Sequence, residues 1–319
     1  MPKFQGHHFH VARWRRTSGR SLCEPEFMRE RRVPDWISVP LVVGAFGLLA
    51  WAERRRALRR AVESKPRREG RNLALAAVGA LAVRWTERPV VERLTVMVEQ
   101  RGWGLLKRVR LPVWMEVALA VVLLDYTLYV WHVLTHRVPF LWRFHVVHHV
   151  DLDLDASTAV RFHFAELVIS VPWRAAQVLA LGVSPLSFSV WQLFLFLSIM
   201  FHHSNVGLPI GIERRLNRII VTPRMHGIHH SIVREETNSN WSSGFVLWDW
   251  LHGTLLLNVP QDEIDIGVAA YREPREIELP KILSLPFREE RATTWWLLPE
   301  DGQPARRAPL RGSPEQLSA

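Results

Sequence analysis

Three histidine clusters are the residues of this chain whose types and spacing could do chemistry. The first has the pattern HxxxH, and the other two have the pattern HxxHH. Residues three or four positions apart share one face of a helix, so each cluster would point its imidazoles in one direction. Neutral imidazole binds iron, zinc, copper and nickel. We therefore predict a metal centre whose ligands come from His132, His136, His145, His148, His149, His226, His229 and His230.

The number of histidines indicates two metal ions rather than one. A catalytic zinc takes three protein ligands, and this set is far larger. In the stretch HVLTH, Val133 stands where a zinc protease has its catalytic glutamate. An imidazole-rich site beside apolar segments favours iron and oxygen chemistry over hydrolysis. The spacing alone still allows two zinc ions, and a lone histidine would more often be a buried structural residue.

Apolar blocks predict the elements that position these histidines. Four blocks are long enough to cross a bilayer as helices, whereas residues 73–83 are short for a span and residues 84–110 are amphipathic at best. We expect a tilted or half-buried helix and then a surface segment there. The predicted fold is an all-α integral membrane protein with about four transmembrane helices and a histidine-rich helical cap. The predicted spans are residues 36–52, 111–134, 167–181 and 185–201.

The distribution of charge predicts which side of the membrane the cap faces. Nine Lys and Arg residues lie between residues 53 and 71, directly after the first span, which makes this loop cytoplasmic by the positive-inside rule. The last two apolar blocks form a hairpin that returns the chain to the other histidines. All clusters are therefore expected on the cytoplasmic side, although the basic tail before Trp36 opposes this orientation.

Four regions follow from these blocks. They are a basic N-terminal tail (residues 1–35), N-terminal membrane segments with a basic loop (36–110), a catalytic domain (111–258) and a polar, partly disordered C-terminal segment (259–319). Within the third region, Asp125 shares a helix face with His132 and His136. A carboxylate inside a membrane span is costly, so Asp125 is a functional candidate.

Composition excludes several classes of protein. The formal net charge is +10, but most arginines flank apolar segments, which favours contact with anionic lipid over nucleic acid. Cys23 is the only cysteine, so the chain has no disulfide framework, thiolate zinc site or iron–sulfur cluster. Fifteen tryptophans against three tyrosines also suit membrane interfaces.

These motifs resemble the fatty acid hydroxylase/sterol desaturase superfamily, in its bacterial sterol desaturase branch, over roughly residues 36–254. The likeness is dense from Asp125 onward. Beyond the clusters it rests on an RxHxxE stretch (Arg161, His163, Glu166), on His203-Ser204-Asn205, on Pro223 before the third cluster, and on Asn240, Trp248-Asp249 and Gly253-Thr254. Departures at Phe164, Trp241 and His252 concern the pocket lining and leave the substrate open.

The resemblance implies a non-haem centre of two iron ions, for which zinc could substitute. The eight clustered histidines would bind the metals, with His203 (preferred over the adjacent His202) and His163 as further candidates. Asp125, Glu166 and Asp249 could accept the free ring N–H of ligand histidines, although Asp249 could equally cap a helix or pair with a cation. Asn205 completes the candidate catalytic residues, and Arg161 could pair with Glu166.

The function expected from this resemblance is O2-dependent hydroxylation or desaturation of a lipid C–H bond in a bacterial inner membrane. The partners would be a lipid substrate from the bilayer, O2 and a separate ferredoxin- or cytochrome-type electron donor, because the chain has no dinucleotide fingerprint and no recognisable haem domain. Two alternatives remain. One is a zinc-dependent membrane hydrolase, and the other is a non-enzymatic membrane protein that binds metal structurally.

Overall fold

A computed structural model of the chain describes residues 32–288, which form α-helices joined by loops and short 3-10 turns. Within this range the only β-structure consists of isolated bridges. The predicted all-α class is confirmed. In chain order the helices are α1 (Asp35–Arg55), α2 (Lys65–Trp85), α3 (Glu87–Arg101), α4 (Val113–Arg137), α5 (Pro139–His149), α6 (Phe164–Ile169), α7 (Val171–Leu181), α8 (Pro185–His203), α9 (Ile210–Leu216), α10 (Pro223–His229), α11 (Arg234–Thr237), α12 (Leu247–His252) and α13 (Leu279–Ser284).

Four helical stretches in the described residues are long and apolar enough to cross a membrane. They are α1, α4, α6 with α7 (residues 164–181), and α8, in agreement with the predicted number and positions. Many of their large apolar side chains are exposed, as expected for surfaces that face lipid rather than water. The protein is therefore an integral membrane protein.

The membrane helices pack around α4. Helix α8 lies along α4 and also contacts α1, whereas α7 packs mainly on α3. The turn predicted between α7 and α8 is present: α7 ends at Gly182 in the left-handed conformation, and the Ser184 hydroxyl caps α8. The two helices on either side of this turn do not form the tight pair that the sequence suggested, because α7 packs mainly on α3 and α8 packs mainly on α4.

Helices α2 and α3 return the chain across the molecule between α1 and α4. Helix α2 packs on α6, and α3 packs on α7 with Val91 and Val98 buried. The turn after α3 then meets the turn after α7, where Gly104 and Gly182 approach closely. Residues 84–110 therefore do not lie along the surface as expected. Their apolar positions recur at helical spacing, which lets α3 bury one face against α7.

The cap lies beyond the ends of α4 and α8 and contains α5, α10 and the loop that follows α5. Its largest apolar cluster joins Trp142 and Val147 of α5 to Tyr271, Ile277 and Ile282 near the end of the described chain. The segment after residue 259 is thus ordered and packed as far as Phe287, since its apolar residues point inward and its charges point out. The N-terminal tail before Arg32 and residues 289–319 lie outside the described residues, and the division into four regions stays a prediction.

Candidate metal centre

The structure brings the three clusters into two adjacent groups of four buried histidines. In each group, the ring nitrogens that could bind a metal all lie within 4.8 Å of one another. Group A combines the first cluster with members of the other two, and group B takes its members from the second and third clusters and from the end of α8. Group A is His132, His136, His149 and His229; group B is His148, His203, His226 and His230.

Four helices deliver these side chains to one place. The C-terminal turns of α4 and α8 enter from the membrane side, while α5 and α10 approach from the cap. Pro139 and Pro223 each stand in the first turn of a cap helix, where proline favours helix initiation. Each HxxHH cluster then occupies the last turn of its helix, so its imidazoles point into the space between the two pairs of helices.

Backbone carbonyl groups fix the orientation of four of these rings. The Nδ1 atoms of His132, His148, His203 and His229 lie 2.7 to 3.2 Å from the carbonyl oxygens of Trp241, Arg161, Ile199 and Ser239, in that order. A carbonyl oxygen only accepts, so each Nδ1 must carry the proton. Each Nε2 is therefore an unprotonated lone pair directed into its group.

The contacts between these lone pairs fit a bound cation. In group B, His203 Nε2 lies 3.0 Å from His148 Nε2, yet neither atom carries a proton. His226 Nε2 lies 3.0 Å from His203 Nε2 and 3.1 Å from His230 Nε2. Converging lone pairs in a buried site repel unless a cation is shared among them. The donor set of neutral imidazoles suits iron, zinc or copper.

Burial keeps the cap histidines neutral, which is the form that binds metal. Desolvation lowers the pKa of His148, His149, His226, His229 and His230 well below the usual value, and neighbouring imidazoles lower it further. The Nε2 atoms of His136 and His229 and both ring nitrogens of His149 are buried without a hydrogen-bond partner. A buried polar atom without a partner is costly, so these positions also indicate a missing ligand.

His145 belongs to the same site although it is in neither group of four. Its ring centroid lies 5.0 Å from those of His136 and His149. Its Nδ1 donates to Glu166 Oε1 at 2.7 Å, and its buried Nε2 has no hydrogen-bond partner. Glu166 thus holds a histidine ring directly, as the sequence suggested. It does not pair with Arg161.

Two other candidate histidines have different positions. His163 caps α6, with Nδ1 accepting from the Ala165 N–H and Nε2 3.2 Å from the Leu283 carbonyl oxygen. It is therefore outside both groups, and its expected ligand role is corrected. His203 is the member of group B, while the neighbouring His202 ring packs 4.0 Å from the His226 ring.

Asp125 and Asp249 hold backbone and indole groups rather than histidine rings. Asp249 accepts from the N–H groups of Trp241 and Ser242 at 2.9 and 3.0 Å. Asp125 Oδ2 accepts from the Phe245 N–H at 3.0 Å and from the Trp248 indole at 2.7 Å. Asp249 acts on the centre indirectly, because the Trp241 carbonyl orients His132. The expectation that both carboxylates accept ring N–H groups is corrected by these contacts.

Asn205 also has a structural set of partners. Its side-chain amide donates to the Arg59 carbonyl and accepts from the Arg59 N–H, both at 2.9 Å. Its own N–H donates to Glu53 at 3.0 Å. Asn205 therefore ties the loop after α1 to the end of α8, and these hydrogen bonds indicate a structural role instead of the expected catalytic one.

A buried polar network behind the histidines was not found from the sequence. Arg161 donates to the Val147 carbonyl at 2.8 Å and to Asn72 at 2.6 Å, while its own carbonyl orients His148. Asn72 and Arg68 of α2 in turn hold the loop after α5 through Asp151. The DxDxD sequence at residues 151–155 could have indicated this network, because its carboxylates match arginines that are buried in the structure. The sequence analysis used the arginine-rich residues 53–71 only to predict the orientation in the membrane.

Comparisons with known proteins agree with this arrangement. The family model for fatty acid hydroxylases matches residues 117–254. The chain is 33% identical over 159 residues to the ornithine lipid hydroxylase OlsE of Rhizobium tropici, covering 49% of this chain and 46% of that protein. It is 30% identical over 130 residues to human alkylglycerol monooxygenase (41% and 28%) and 32% identical over 148 residues to a cholesterol 25-hydroxylase-like protein of Danio rerio (45% and 56%).

The matched regions thus span from about a quarter to a little over half of each relative. No solved structure matches the chain significantly. The fold and the site define a helical membrane protein with a buried polyhistidine centre. Together with the matches, they support the resemblance to the fatty acid hydroxylase/sterol desaturase superfamily over residues 117–254.

Proposed function

We propose that this protein is a membrane-bound non-haem oxidoreductase that uses O2 and two iron ions to hydroxylate a lipid C–H bond. The observation that carries the proposal is the pair of four-histidine groups, whose unprotonated nitrogens converge beside the end of membrane helix α4. Relatives of the matched segment are named as lipid hydroxylases and monooxygenases, which favours hydroxylation over desaturation.

The ligands proposed for the two irons are the eight members of groups A and B, with His145 as a ninth nitrogen close to both. Iron held by imidazole supplies O2 activation when it is bound. Backbone carbonyls fix the ring tautomers of four of the eight group members. The site is also kept dry, since every group member except the partly buried His132 is almost fully inaccessible to water. Glu166 holds His145 by its Nδ1–H.

The partners proposed are a lipid from the bilayer, O2 and a separate electron donor of the ferredoxin or cytochrome type. The first follows from the position of the centre at the ends of α4 and α8. The donor is proposed because the described residues hold no group of metal-ligating side chains apart from groups A and B that could deliver electrons. The location proposed is a bacterial inner membrane with the cap in the cytoplasm.

Metal analysis of the protein purified in detergent after growth with iron tests this proposal. We expect about two irons per chain, since neutral imidazole sets of this kind bind divalent transition metals. A His136→Ala variant should lose the metal of group A, and a His203→Ala variant should lose that of group B. The double variant His148→Ala/His229→Ala should lose both. His252→Ala, an exposed histidine outside both groups, is the matched control.

Circular dichroism and gel filtration must show that each variant remains folded. Iron-loaded protein should then oxidise a lipid extract only when O2 and a reductant are supplied, which mass spectrometry of the lipids would detect as added oxygen. Zinc as the sole metal, with lipid hydrolysis in the absence of O2 and reductant, would instead support a membrane hydrolase. A folded wild-type protein that binds no metal would overturn the proposal.

A further inference from the structure

The segment of residues 242–253, which contains α12, lies against the middle of membrane helix α4. We call it the α12 segment. The Trp248 indole and the Phe245 N–H both donate to Asp125 Oδ2. Further along the segment, the ring of His252 stacks on Tyr129 with 5.0 Å between ring centroids. The α12 segment therefore runs beside one turn of α4, from Asp125 to Tyr129.

This position places the α12 segment at the depth of the bilayer interior. Helix α4 has 25 residues, and Asp125 is twelve residues from either end. At 1.5 Å per residue, Asp125 lies about 18 Å from each end of the helix. A hydrocarbon core of about 30 Å covers most of this helix, so Asp125 lies inside the core for any placement of the membrane along α4.

The exposed residues of α12 are apolar except for His252, whose ring stacks on Tyr129. Leu247 is 47% exposed, Trp250 is 69% exposed and Leu251 is 58% exposed, whereas Trp248 and Asp249 are buried. A short helix on a water-exposed surface carries polar residues on its outer face. The exposed side chains of α12 have the composition of a lipid-facing surface instead.

The polar backbone groups of the α12 segment are satisfied inside the protein. Irregular backbone is tolerated at membrane depth only where the protein itself supplies its hydrogen-bond partners. Asp249 accepts from the N–H groups of Trp241 and Ser242 just before α12, and Asp125 accepts from that of Phe245. The Val246 N–H donates to the Ile219 carbonyl at 3.1 Å. Two buried carboxylates thus replace the water that this loop would otherwise need.

The stretch of residues 210–220, which contains α9 and ends at the residue that pairs with the loop, has the composition of a membrane interface. Ile220 and Phe245 form an isolated antiparallel bridge. Ile212 and Ile219 are exposed, and the exposed Arg215 and Arg218 lie between them in sequence. Interfacial segments typically place apolar residues in the acyl region of the bilayer. Their neighbouring arginines contact the anionic headgroups.

We propose that the α12 segment is embedded in the bilayer from the cap side and that Leu247, Trp250 and Leu251 contact lipid acyl chains. The segment is thus a membrane-inserted element in addition to the four spanning stretches. The inference depends on α4 crossing the membrane and is independent of the proposed oxidoreductase chemistry. It also assigns Asp125 and Asp249 a role, which is to satisfy the backbone of an inserted loop.

Site-directed spin labelling in vesicles tests the inference without any measurement of activity. In a Cys23→Ser background, single cysteines would be introduced as Trp250→Cys and Leu251→Cys, at exposed positions where little packing is lost. Leu48→Cys on the lipid-facing surface of α1 and Val62→Cys in the loop after α1 are the matched controls, at 62% and 69% exposure. The labelled proteins would be placed in vesicles of phosphatidylcholine and phosphatidylglycerol.

The measurement is the collision rate of each label with O2, which concentrates in the bilayer, and with a water-soluble nickel chelate. We expect labels at residues 250 and 251 to behave like the label at residue 48, with high O2 and low nickel accessibility. Labels that behave like that at residue 62 would overturn the proposal. Leu247→Cys replaces either variant if it does not fold.

Discussion

At the scale of single residues, acceptors hold one nitrogen of five of the nine imidazoles in the centre. Four of these acceptors are backbone carbonyls: that of Ile199 belongs to helix α8, and the other three belong to loops that carry no recognisable motif. Glu166 is the side-chain acceptor among them, and it leaves the Nε2 of His145 free to face the centre. The ligand orientation is therefore encoded largely in the loop conformations.

Replacing Glu166 tests whether this orientation matters for metal binding. In a Glu166→Ala variant the Nδ1–H of His145 loses its acceptor, so the ring can rotate or change tautomer. We expect metal affinity to fall by about 10- to 100-fold, the usual cost of losing such a partner. Titration of the apoprotein with a metal in competition with a chromophoric chelator measures this.

The control for this prediction is Glu166→Gln, whose amide oxygen can still accept the His145 Nδ1–H. It should retain most of the affinity that the alanine variant loses. Equal losses in the two variants would show that the negative charge, and not the orientation of His145, is what the centre requires.

The buried Arg68 is expected to be essential for stability. Its guanidinium hydrogen bonds to Asp151 at 2.9 Å and to Asp155, and it also bonds to Thr158 at 3.2 Å. An Arg68→Met variant would remove the nearest cation from two buried carboxylates, and breaking a buried pair in this way typically costs about 3–5 kcal/mol. The midpoint of thermal unfolding in detergent should therefore be much lower for Arg68→Met than for the wild type. The exposed neighbour provides the control, because Arg67→Met should change the midpoint little.

The lowered pKa of the Asp151 carboxyl predicts how the free energy of unfolding depends on pH. Burial raises the pKa of its carboxyl, but Arg68 and Arg161 outweigh this and lower the pKa to about 2. A carboxyl whose pKa is depressed in the folded state stabilises the protein above its unfolded pKa of about 3.9, and this contribution is lost as the pH falls toward 2. We expect the free energy of unfolding to fall by about 2 kcal/mol as the pH is lowered from about 5 to about 2.

Thermal unfolding measured at several pH values between 5 and about 2, in an acid-tolerant detergent, checks this expectation. The comparison is with Asp151→Asn, which cannot ionise and should lack this component of the acid dependence. If wild type and Asp151→Asn lose stability in parallel throughout the window, the carboxyl is not titrating as described.

At the scale of elements, two glycines allow α3 and α7 to end against each other. Gly104 and Gly182 both have positive φ angles, and a Cβ on Gly104 would lie 2.2 Å from the Gly182 nitrogen. The adjoining helices bury Val98 and Val178 in one apolar cluster. The close approach of the two turns thus sets how these helices pack on α4 and α8.

A methyl group at either position should separate the two turns. We expect Gly104→Ala and Gly182→Ala to lower the free energy of unfolding by about 1–3 kcal/mol, from strain at positive φ and from steric overlap. The matched control is Gly70→Ala in α2, where no atom lies within 4 Å of the added Cβ. That variant should be as stable as the wild type or slightly more so, because alanine favours helix. Thermal unfolding of all three checks this.

At the scale of the whole molecule, the cap is built from parts of the chain on both sides of the matched segment. Glu53 at the end of α1 accepts from the Ala156 N–H at 2.9 Å, and Asn72 of α2 holds Arg161. Tyr271 and Ile282, beyond the matched segment, complete the cap core. The segment of residues 117–254 therefore depends on its flanks for the shape of its centre.

The orientation of the molecule predicts which loops are accessible from each side of the membrane. In a Cys23→Ser background, Val62→Cys lies near the cap, and Val109→Cys lies in the turn before α4, at the opposite end of the molecule. With the cap in the cytoplasm, an impermeant maleimide added to intact bacterial spheroplasts should label residue 109 but not residue 62. Labelling of both after lysis is the control. The reverse pattern would place the cap outside.

Much of the site could be predicted from local sequence because metal-binding residues repeat at helical spacing. The three clusters lie in one centre, and the four spans are where the apolar blocks are. Three residues have the type and position expected of site residues, but their hydrogen bonds go to backbone groups outside the histidine clusters. They are His163, Asn205 and Asp249. Residue type does not specify a partner, and this explains the corrections.

The sequence by itself determined the helical class, the membrane spans and the residues that gather as candidate ligands, because these depend on periodicity and hydropathy within short windows. Only the tertiary structure decided how the histidines divide into two groups, since each group mixes clusters that lie up to about a hundred residues apart. It also decided that Arg68 and Asn72 support the centre and that α12 lies beside α4. Such pairings arise from long-range packing and from the need to satisfy buried polar groups, and neither leaves a local pattern in the sequence.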